Sequence, residues 1–380
     1  MRILDIPPEL LLSVVDLLSL GDLLTFRSTC RRLRDLLDQQ FHKFCLQDVG
    51  HLTSIQWAAV HGYGELIELA ILNGAAIDTP LRCNLDCIRV GKKMSESQIR
   101  TWQIFDWANT IAETHAKGAI MRTPLFLAAC FGQVKAIEVL LKKCASMQCP
   151  GEMMIPAHIA ARRGDVDCMR AFIQAGFNIN TRGSKDQTIL HVATFSRITM
   201  MKYILQLEGG VNLVNMQDDR GSTPLSYIAT THDIPHRRTR KMVQLLLQHG
   251  ADIHARDDTG NMAAHYFARR GWVVCLWPLM DAGFDLHSRG ENGATILHHA
   301  VVGGTKMIKY LLGLNDGKMI IDIKNLDGKT PLQCAYNQSN PWPTIFMLMR
   351  HGATRPCWCS SSTRARRNCY CLAWLQPSLW

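Results

Sequence analysis

The sequence predicts an all-α fold, a solenoid of helix–turn–helix units preceded by a small three-helix segment. One short motif recurs seven times between residues 122 and 356, at a spacing near 33 residues. Each copy joins a helix-start signal to apolar residues at three- and four-residue spacing, the pattern of a helix that buries one face. A fixed repeat of this length is typical of a solenoid whose units pack on their neighbours.

The composition limits the classes of protein that remain. A chain of 380 residues exceeds one ordinary compact core. With 47% hydrophobic and 19% charged residues it is not a disordered chain. The net charge of +10 admits acidic partners but says nothing about fold. The fourteen cysteines are scattered, mostly within apolar helical patterns, and we interpret them as small buried residues.

Neither the N-terminal charges nor the lengths of the apolar runs indicate a membrane or secreted protein. Asp5, Glu9 and Asp16 stand where a signal peptide needs an uncharged apolar stretch. No apolar run reaches the ~20 residues that span a bilayer. We therefore expect an intracellular protein, in the cytoplasm, the nucleus or both, without a membrane partner.

Residues 4–37 predict three short helices. The first runs to Leu18, Gly21-Asp22 breaks the chain, and two helices follow. The first helix carries more aliphatic residues than three short helices can bury, which indicates a hydrophobic binding face. The residues of this segment that match the pattern of a known domain family are Pro7, Glu9, Leu10, Leu11, Val14, Val15, Leu18, Asp22, Leu23, Leu24, Cys30 and Arg31.

On these residues the segment, within a domain at 1–45, resembles an F-box. F-boxes dock on the Skp adaptor subunit of cullin-based ubiquitin ligases. The resemblance implies a docking face made of Pro7, Leu10, Leu11, Val14 and Leu18. The alternative is a three-helix cap that closes the exposed end of the repeat array.

Each repeat begins at a Pro or at the residue in its place. These positions are separated by 32, 33, 35, 39, 33 and 35 residues, and they are Pro124, Pro156, Ile189, Pro224, Ala263, Ile296 and Pro331. A Thr before the Pro caps free N–H groups, and Pro fits the first turn of a helix. Gly176 and Gly250 stand where the second helix must end in a left-handed residue.

These motifs resemble the ankyrin family over residues 122–356, and a degenerate repeat is indicated at 51–78. Residues 79–121 interrupt the array with a predicted loop and helix. Two departures carry expectations of their own. The stretch 232–241 is expected to lengthen a loop between helices. Pro341 and Pro343 are expected to distort the second helix of the last repeat.

The sequence shows no sign of an enzyme, a cofactor or a metal site. Phosphate-binding, dinucleotide, HExxH and GxSxG motifs are missing. Four of the repeats carry a histidine at one position of the first helix, and neighbouring repeats place these residues roughly 10 Å apart, too far to share an ion. The ankyrin resemblance implies that they bond neighbouring backbone: His158, His191, His265 and His298. The C-terminal tail, 357–380, has a CxC pair at Cys357/Cys359 and another at Cys369/Cys371, a spacing that zinc sites avoid.

By the same resemblance, the concave surface of the stack consists of turn tips and the ends of first helices. Arginine recurs there, as a groove for an acidic or phosphorylated client protein requires. The set is Arg162, Arg163, Arg182, Lys185, Arg220, Arg256, Arg269, Arg270 and Arg289. The alternative is an ordinary charged surface, since Asp218, Asp219, Asp257 and Asp258 lie on the same tips and partly cancel the field.

Two functions follow from these patterns. The first is the substrate-recognition subunit of a Skp/cullin/F-box ubiquitin ligase, with residues 4–37 on the Skp-type adaptor and the repeats on an unknown client. The second is an ankyrin scaffold or regulator without a ubiquitin role. The sequence argues against nucleic-acid binding, because the arginine strip lacks the stacking aromatics that single strands need.

Overall fold

The computed structural model describes residues 48–49, 52–78, 123–147, 155–230, 236–338 and 341–354. Within them the chain is helical, apart from a short antiparallel pair of strands, β1 (Asp48–Val49) and β2 (Leu52–Thr53). The chain divides into two compact units, Met1–Gly210 and Val211–Trp380. The predicted all-α repeat fold is confirmed.

Unit 1 consists of helix pairs arranged in two layers. The first helices pack on one another in one layer, and the second helices pack in the other. The first helices are α1 (Ser54–His61), α3 (Pro124–Phe131), α5 (Pro156–Arg163) and α7 (Ile189–Ala193). The second helices are α2 (Gly64–Leu72), α4 (Val134–Lys142), α6 (Val166–Gln174) and α8 (Ile198–Gln206).

Unit 2 repeats this arrangement, again with first helices on first helices and second helices on second helices. Its first helices are α9 (Pro224–Thr230), α11 (Ala263–Arg269), α13 (Ile296–Gly303) and α15 (Pro331–Ala335). Its second helices are α10 (His236–Gln248), α12 (Val273–Asp281), α14 (Thr305–Leu312) and α16 (Trp342–Arg350). In each unit, fully buried Leu, Ile, Ala and Phe side chains form the core.

All seven predicted helix starts are confirmed, because the signals that set them are local. The Thr123 hydroxyl accepts the N–H of Phe126 at 3.3 Å, and the Thr330 hydroxyl accepts the N–H of Gln333 at 3.3 Å. Each bond satisfies one of the N–H groups that a helix start leaves free. The predicted left-handed stops are also present, with φ of +89° at Gly176 and +82° at Gly250.

The degenerate first repeat is a helix pair of the same kind. Thr53 caps α1 in a capping box with Gln56, and Gly62 ends it at φ +78°. Helix α1 packs on α3 as the other first helices pack on their successors. The predicted insert at 79–121, the N-terminal segment 4–37 and the tail 357–380 lie outside the described residues.

Two expectations about helix boundaries were wrong. Residues 236–241, predicted as part of a lengthened loop, form the first turns of α10. Pro341 and Pro343 do not distort α16, because Pro341 is its N-cap and Pro343 lies in its first turn. A first-turn residue has no N–H partner within the helix, so the missing N–H of proline costs nothing there.

Candidate functional site

The predicted arginine strip is divided between the two units, and each part is described by itself. In unit 1, Arg163 donates a hydrogen bond from its Nη1 to the carbonyl oxygen of Cys130, at the end of the preceding first helix. The guanidinium of Arg162 lies 4.2 Å from the ring centroid of Phe195. Both arginines are half-buried, and their contacts help to hold adjacent repeats together.

The turn tips of unit 2 are joined by a ladder of bonds from side chains to backbone. Gln217 Nε2 donates to the carbonyl oxygen of Arg256 at 2.9 Å. Arg256 Nη1 donates in turn to the carbonyl of Arg289, and Arg289 Nη1 donates to that of Lys324 at 3.0 Å. Each step joins the same position of two successive tips. We call Gln217, Arg256, Arg289 and Lys324 the tip ladder.

The ladder arginines also brace their own turns. Arg256 Nη1 donates to Gly260 O at 2.8 Å and Arg289 Nη1 to Gly293 O at 3.1 Å. In unit 1, Arg182 Nη1 donates likewise to Asp186 O at 2.8 Å and pairs with its carboxylate at 3.1 Å. Part of the guanidinium of Arg182, Arg256 and Arg289 is therefore already used to hold the repeat structure.

The acidic residues of the tips also serve the turns. Asp218 Oδ1 accepts the N–H groups of Arg220 at 3.0 Å and Ser222 at 2.8 Å. Asp257 Oδ1 accepts those of Thr259 and Asn261, each at 3.0 Å. A carboxylate that accepts several backbone N–H groups is a typical turn-forming element.

The remaining three predicted arginines differ in environment. Arg270 is half-buried, with its guanidinium 5.4 Å from the Trp272 ring centroid, and burial followed by the charge of Arg269 lowers its pKa. Arg220 and Arg269 are exposed, and neither side chain is in a hydrogen bond or ion pair within the described part of the chain. These two guanidinium groups are free to bind a partner.

Three of the recurring histidines have the predicted structural role. In each case the histidine Nδ1 accepts the backbone N–H of the residue just before the helix. Thr188 donates to His191 at 3.2 Å, Met262 to His265 at 3.1 Å and Thr295 to His298 at 3.1 Å. The other ring nitrogen of His298 lies 3.0 Å from Lys329 O, in the next repeat. This prediction is confirmed for these three.

His158 is the exception. Ile155 stands at its helix start in place of Thr, and Nδ1 of the buried His158 does not accept a helix-start N–H as the other three do. The backbone of Gln187 is the polar group that faces the ring. Burial is the main cause that lowers the pKa of His158 and of His265 to about 4. Among the described residues, no group of three His, Cys, Asp or Glu side chains is placed to hold a metal ion.

Most of the described cysteines are buried as small apolar residues, and Cys144 is an exposed exception. Cys130 and Cys168 are buried, and Cys334 is half-buried. Burial, the largest cause, raises the pKa of the Cys168 thiol. The two CxC pairs of the tail, like the docking set at Pro7, Leu10, Leu11, Val14 and Leu18, lie outside the described residues.

Sequence reasoning missed a second charged surface, on the second helices of unit 2. Arg240 of α10 lies with its guanidinium 5.2 Å from the ring centroid of Trp277 in α12. The Trp277 ring lies 6.3 Å from that of Tyr310 in α14. The available signal was the HRRTRK run at 236–241, which was interpreted as a loop.

No helix among the described residues is both long and apolar enough to cross a bilayer.

Comparison with known proteins gives two family matches. The family model described as ankyrin repeats (3 copies) matches residues 125–215, 157–257, 236–318 and 265–354, which together extend over more than half of the chain. The family model described as F-box domain matches residues 3–44. The F-box match thus precedes the repeat matches along the chain.

Two curated relatives and one solved structure illustrate the similarity. An E3 ubiquitin-protein ligase, KEG, of Arabidopsis thaliana is 24% identical over 50% of this chain and 14% of its own length. Ankyrin repeat and SOCS box protein 6 of Mus musculus is 33% identical over 28% of this chain and 26% of its own. The ankyrin repeat domain of Bcl-3 aligns with 70% of this chain and all of its own, at 22% identity and a TM-score of 0.47. The chain thus covers about a quarter or less of these two relatives' lengths.

Proposed function

We propose that this chain, which belongs to the ankyrin-repeat family and has an F-box domain at residues 3–44, is the client-binding adaptor subunit of a Skp/cullin/F-box-type ubiquitin ligase. Residues 4–37 bind the Skp-type adaptor subunit, and the repeats bind the client protein. A role as ubiquitin ligase adaptor in general terms follows from the combination of the two domains. Binding of a Skp-type adaptor by residues 4–37 and of a client by the repeats goes beyond this general role and is what we propose.

The observation that carries the proposal is the F-box match in front of a repeat array. An F-box supplies the connection to the ligase, and ankyrin repeats supply a surface for another protein. The similar proteins from Arabidopsis thaliana and Mus musculus include one whose name states E3 ubiquitin-protein ligase and one that combines ankyrin repeats with a SOCS box. The first name supports a role in ubiquitin transfer, and the second shows similar ankyrin repeats combined with another domain.

The adaptor contributes proximity rather than chemistry. When one chain binds both the ligase and the client, the client's lysines are held near the transferring enzyme at a high effective concentration. Among the described residues, His191, His265 and His298 bond the backbone of their own helix starts, and Cys130 and Cys168 pack in the core.

For the client, we propose an acidic or phosphorylated segment on the predicted concave surface. Arg220 and Arg269 have exposed, uncommitted guanidinium groups for this purpose. Arg162, Arg163, Arg182, Arg256, Arg270 and Arg289 contribute positive charge, while part of their bonding capacity supports the repeats.

A capture experiment with the full chain tests the ubiquitin role. The intact chain is expected to bind the purified Skp adaptor, and Leu10→Asp with Val14→Asp is expected to abolish capture, because a carboxylate buried in an apolar interface costs several kcal/mol. The control, Ser13→Asp with Ser19→Asp, places the same charges in the same segment but outside the predicted docking set. Failure of the intact chain to capture the adaptor, or equal loss in both variants, would leave the cap interpretation in its place.

A further inference from the structure

The second-helix layer of unit 2 carries a surface that joins positive charge to aromatic rings. We define this basic–aromatic face by seven residues on three adjacent helices: Arg238, Arg240 and Lys241 of α10, Trp277 of α12, and Lys306, Lys309 and Tyr310 of α14. We propose that this face binds an acidic peptide segment of the client. The inference rests on the proposed function only in assigning that segment to a client.

The positive charges of this face are not neutralised within the described part of the protein. None of its five Lys and Arg side chains is in an ion pair there, and the buried Nε of Arg240 has no hydrogen-bond partner. Arg238 and Lys241 are exposed and three residues apart on α10, whereas Arg240, two residues after Arg238, lies on the side of the helix that meets Trp277. Lys306 and Lys309 of α14 are exposed and spaced in the same way.

The position of the basic cluster within α10 strengthens this argument. The helix begins with HRRTRK, so that five of its first six residues are basic. The N-terminal end of a helix already carries partial positive charge, so cations in its first turn are unfavourable there. An anion bound there would offset this repulsion, so the start of α10 is more stable with an acidic partner than without one.

The aromatic rings hold one of the cations in place. The Arg240 guanidinium lies over the Trp277 ring at 5.2 Å, and Trp277 inclines by 42° towards Tyr310. Trp277 remains 40% exposed, so it offers apolar surface beside the charge. A guanidinium held against a ring loses less side-chain entropy when it pairs with a carboxylate. Asp281 acts on Tyr310 and adds one negative charge beside the five cations of the face.

An acidic peptide fits this face better than a single-stranded nucleic acid does. Nucleic acid binding depends on aromatic rings with an open face on which bases stack. Here the guanidinium of Arg240 covers one face of Trp277. Carboxylates need only the forked N–H donors of Arg and the ammonium groups of Lys. The face differs from the tip ladder in that its donors are not used by the repeats.

The test measures peptide binding by the full chain with fluorescence anisotropy. The probes are a fluorescein-labelled peptide rich in Asp and Glu, its phosphoserine counterpart, its uncharged Asn/Gln counterpart and a labelled oligouridine. Arg238→Glu with Lys241→Glu reverses two charges on the face. The matched control, Lys135→Glu with Lys202→Glu, makes the same charge change on exposed second-helix positions of unit 1.

We expect the anionic peptides to bind, with an affinity that falls as salt rises. The α10 double variant should lose about tenfold or more in affinity, the equivalent of roughly 1.4 kcal/mol per tenfold, and the control should match the wild type. Whichever anionic peptide binds more tightly identifies carboxylate or phosphate as the preferred group. If the α10 variant does not fold, Lys306→Glu with Lys309→Glu on α14 replaces it.

Four results would overturn the inference: no binding of either anionic peptide, unchanged affinity in the α10 variant, equal loss in the control, or tighter binding of the oligouridine. Adaptor capture is measured on the same variants and should be unchanged by Arg238→Glu with Lys241→Glu. Failure of the wild type to capture the adaptor would refute the proposed ubiquitin role and would leave the peptide-binding result unaffected. The two proposals therefore fail separately.

Discussion

Replacement of Arg289 by Ala tests whether the tip ladder is structural. The wild-type guanidinium donates to Gly293 O in its own turn at 3.1 Å and to Lys324 O in the next tip at 3.0 Å. Both bonds are lost in the variant. Arg220→Ala is the matched control, because Arg220 is also an exposed tip arginine but its side chain makes neither kind of bond among the described residues.

The expected loss follows from the number of bonds and their exposure. A hydrogen bond contributes a net of about 0.5–1.5 kcal/mol, and the freed acceptors here lie at the surface, where water replaces the donor. Two such bonds give a decrease of about 1–2 kcal/mol in the free energy of unfolding. The control should stay within about 0.5 kcal/mol of wild type, as surface substitutions usually do.

Urea unfolding of the full chain, followed by tryptophan fluorescence, measures this difference. Amide hydrogen exchange over residues 324–329 then locates it, since the next tip should open more readily when Arg289 no longer donates to it. Equal effects of the two replacements, or no effect of Arg289→Ala, would refute a structural role for the ladder. Arg289 would then return to the set of uncommitted client-binding arginines.

Two further predictions concern pH and packing. Burial lowers the pKa of His158 and of His265 to about 4, against 6.5 in the unfolded chain, so protons bind preferentially to the unfolded state between these values. The stability that these two histidines contribute is therefore fully present above pH 6.5 and is lost as the pH drops towards 4; a flat profile of urea midpoints over this window would contradict the assignment. Gly303→Ala should cost about 3 kcal/mol or more, since a Cβ would lie 2.0 Å from the Ala268 carbonyl oxygen and the backbone must shift. Val302→Ala, at an exposed neighbouring position, should unfold in urea like wild type.

The helix starts were predictable because their causes are local. A Thr hydroxyl caps the N–H groups of the next turn, and a proline ring fits the first turn, whatever the surroundings. Even Ala263, which has neither signal beside it, was identified through the repeat spacing and begins a helix as predicted. Pro343 was misjudged because the effect of proline depends on its place within a helix, and the sequence left the start of α16 undetermined.

The sites were less predictable because their chemistry is decided between repeats. The sequence marks Arg256 and Arg289 as tip arginines, but their bonds join positions 33 and 35 residues apart. The same holds for Arg240, which meets Trp277 only because α10 and α12 pack side by side. A linear pattern counts charges along the chain and cannot show which of them already have partners.

The sequence by itself determined the repeat, its period and its helix starts, because capping signals act within a few residues and the recurrence of the motif locates the starts that lack them. Only the tertiary structure decided which cations are committed. Packing of successive tips uses the donors of Arg256 and Arg289, whereas packing of second helices leaves Arg238 and Lys241 unpaired and places Arg240 over a ring. The physical reason is that an ion's availability depends on its neighbours in space, and a solenoid brings those neighbours from the next repeat.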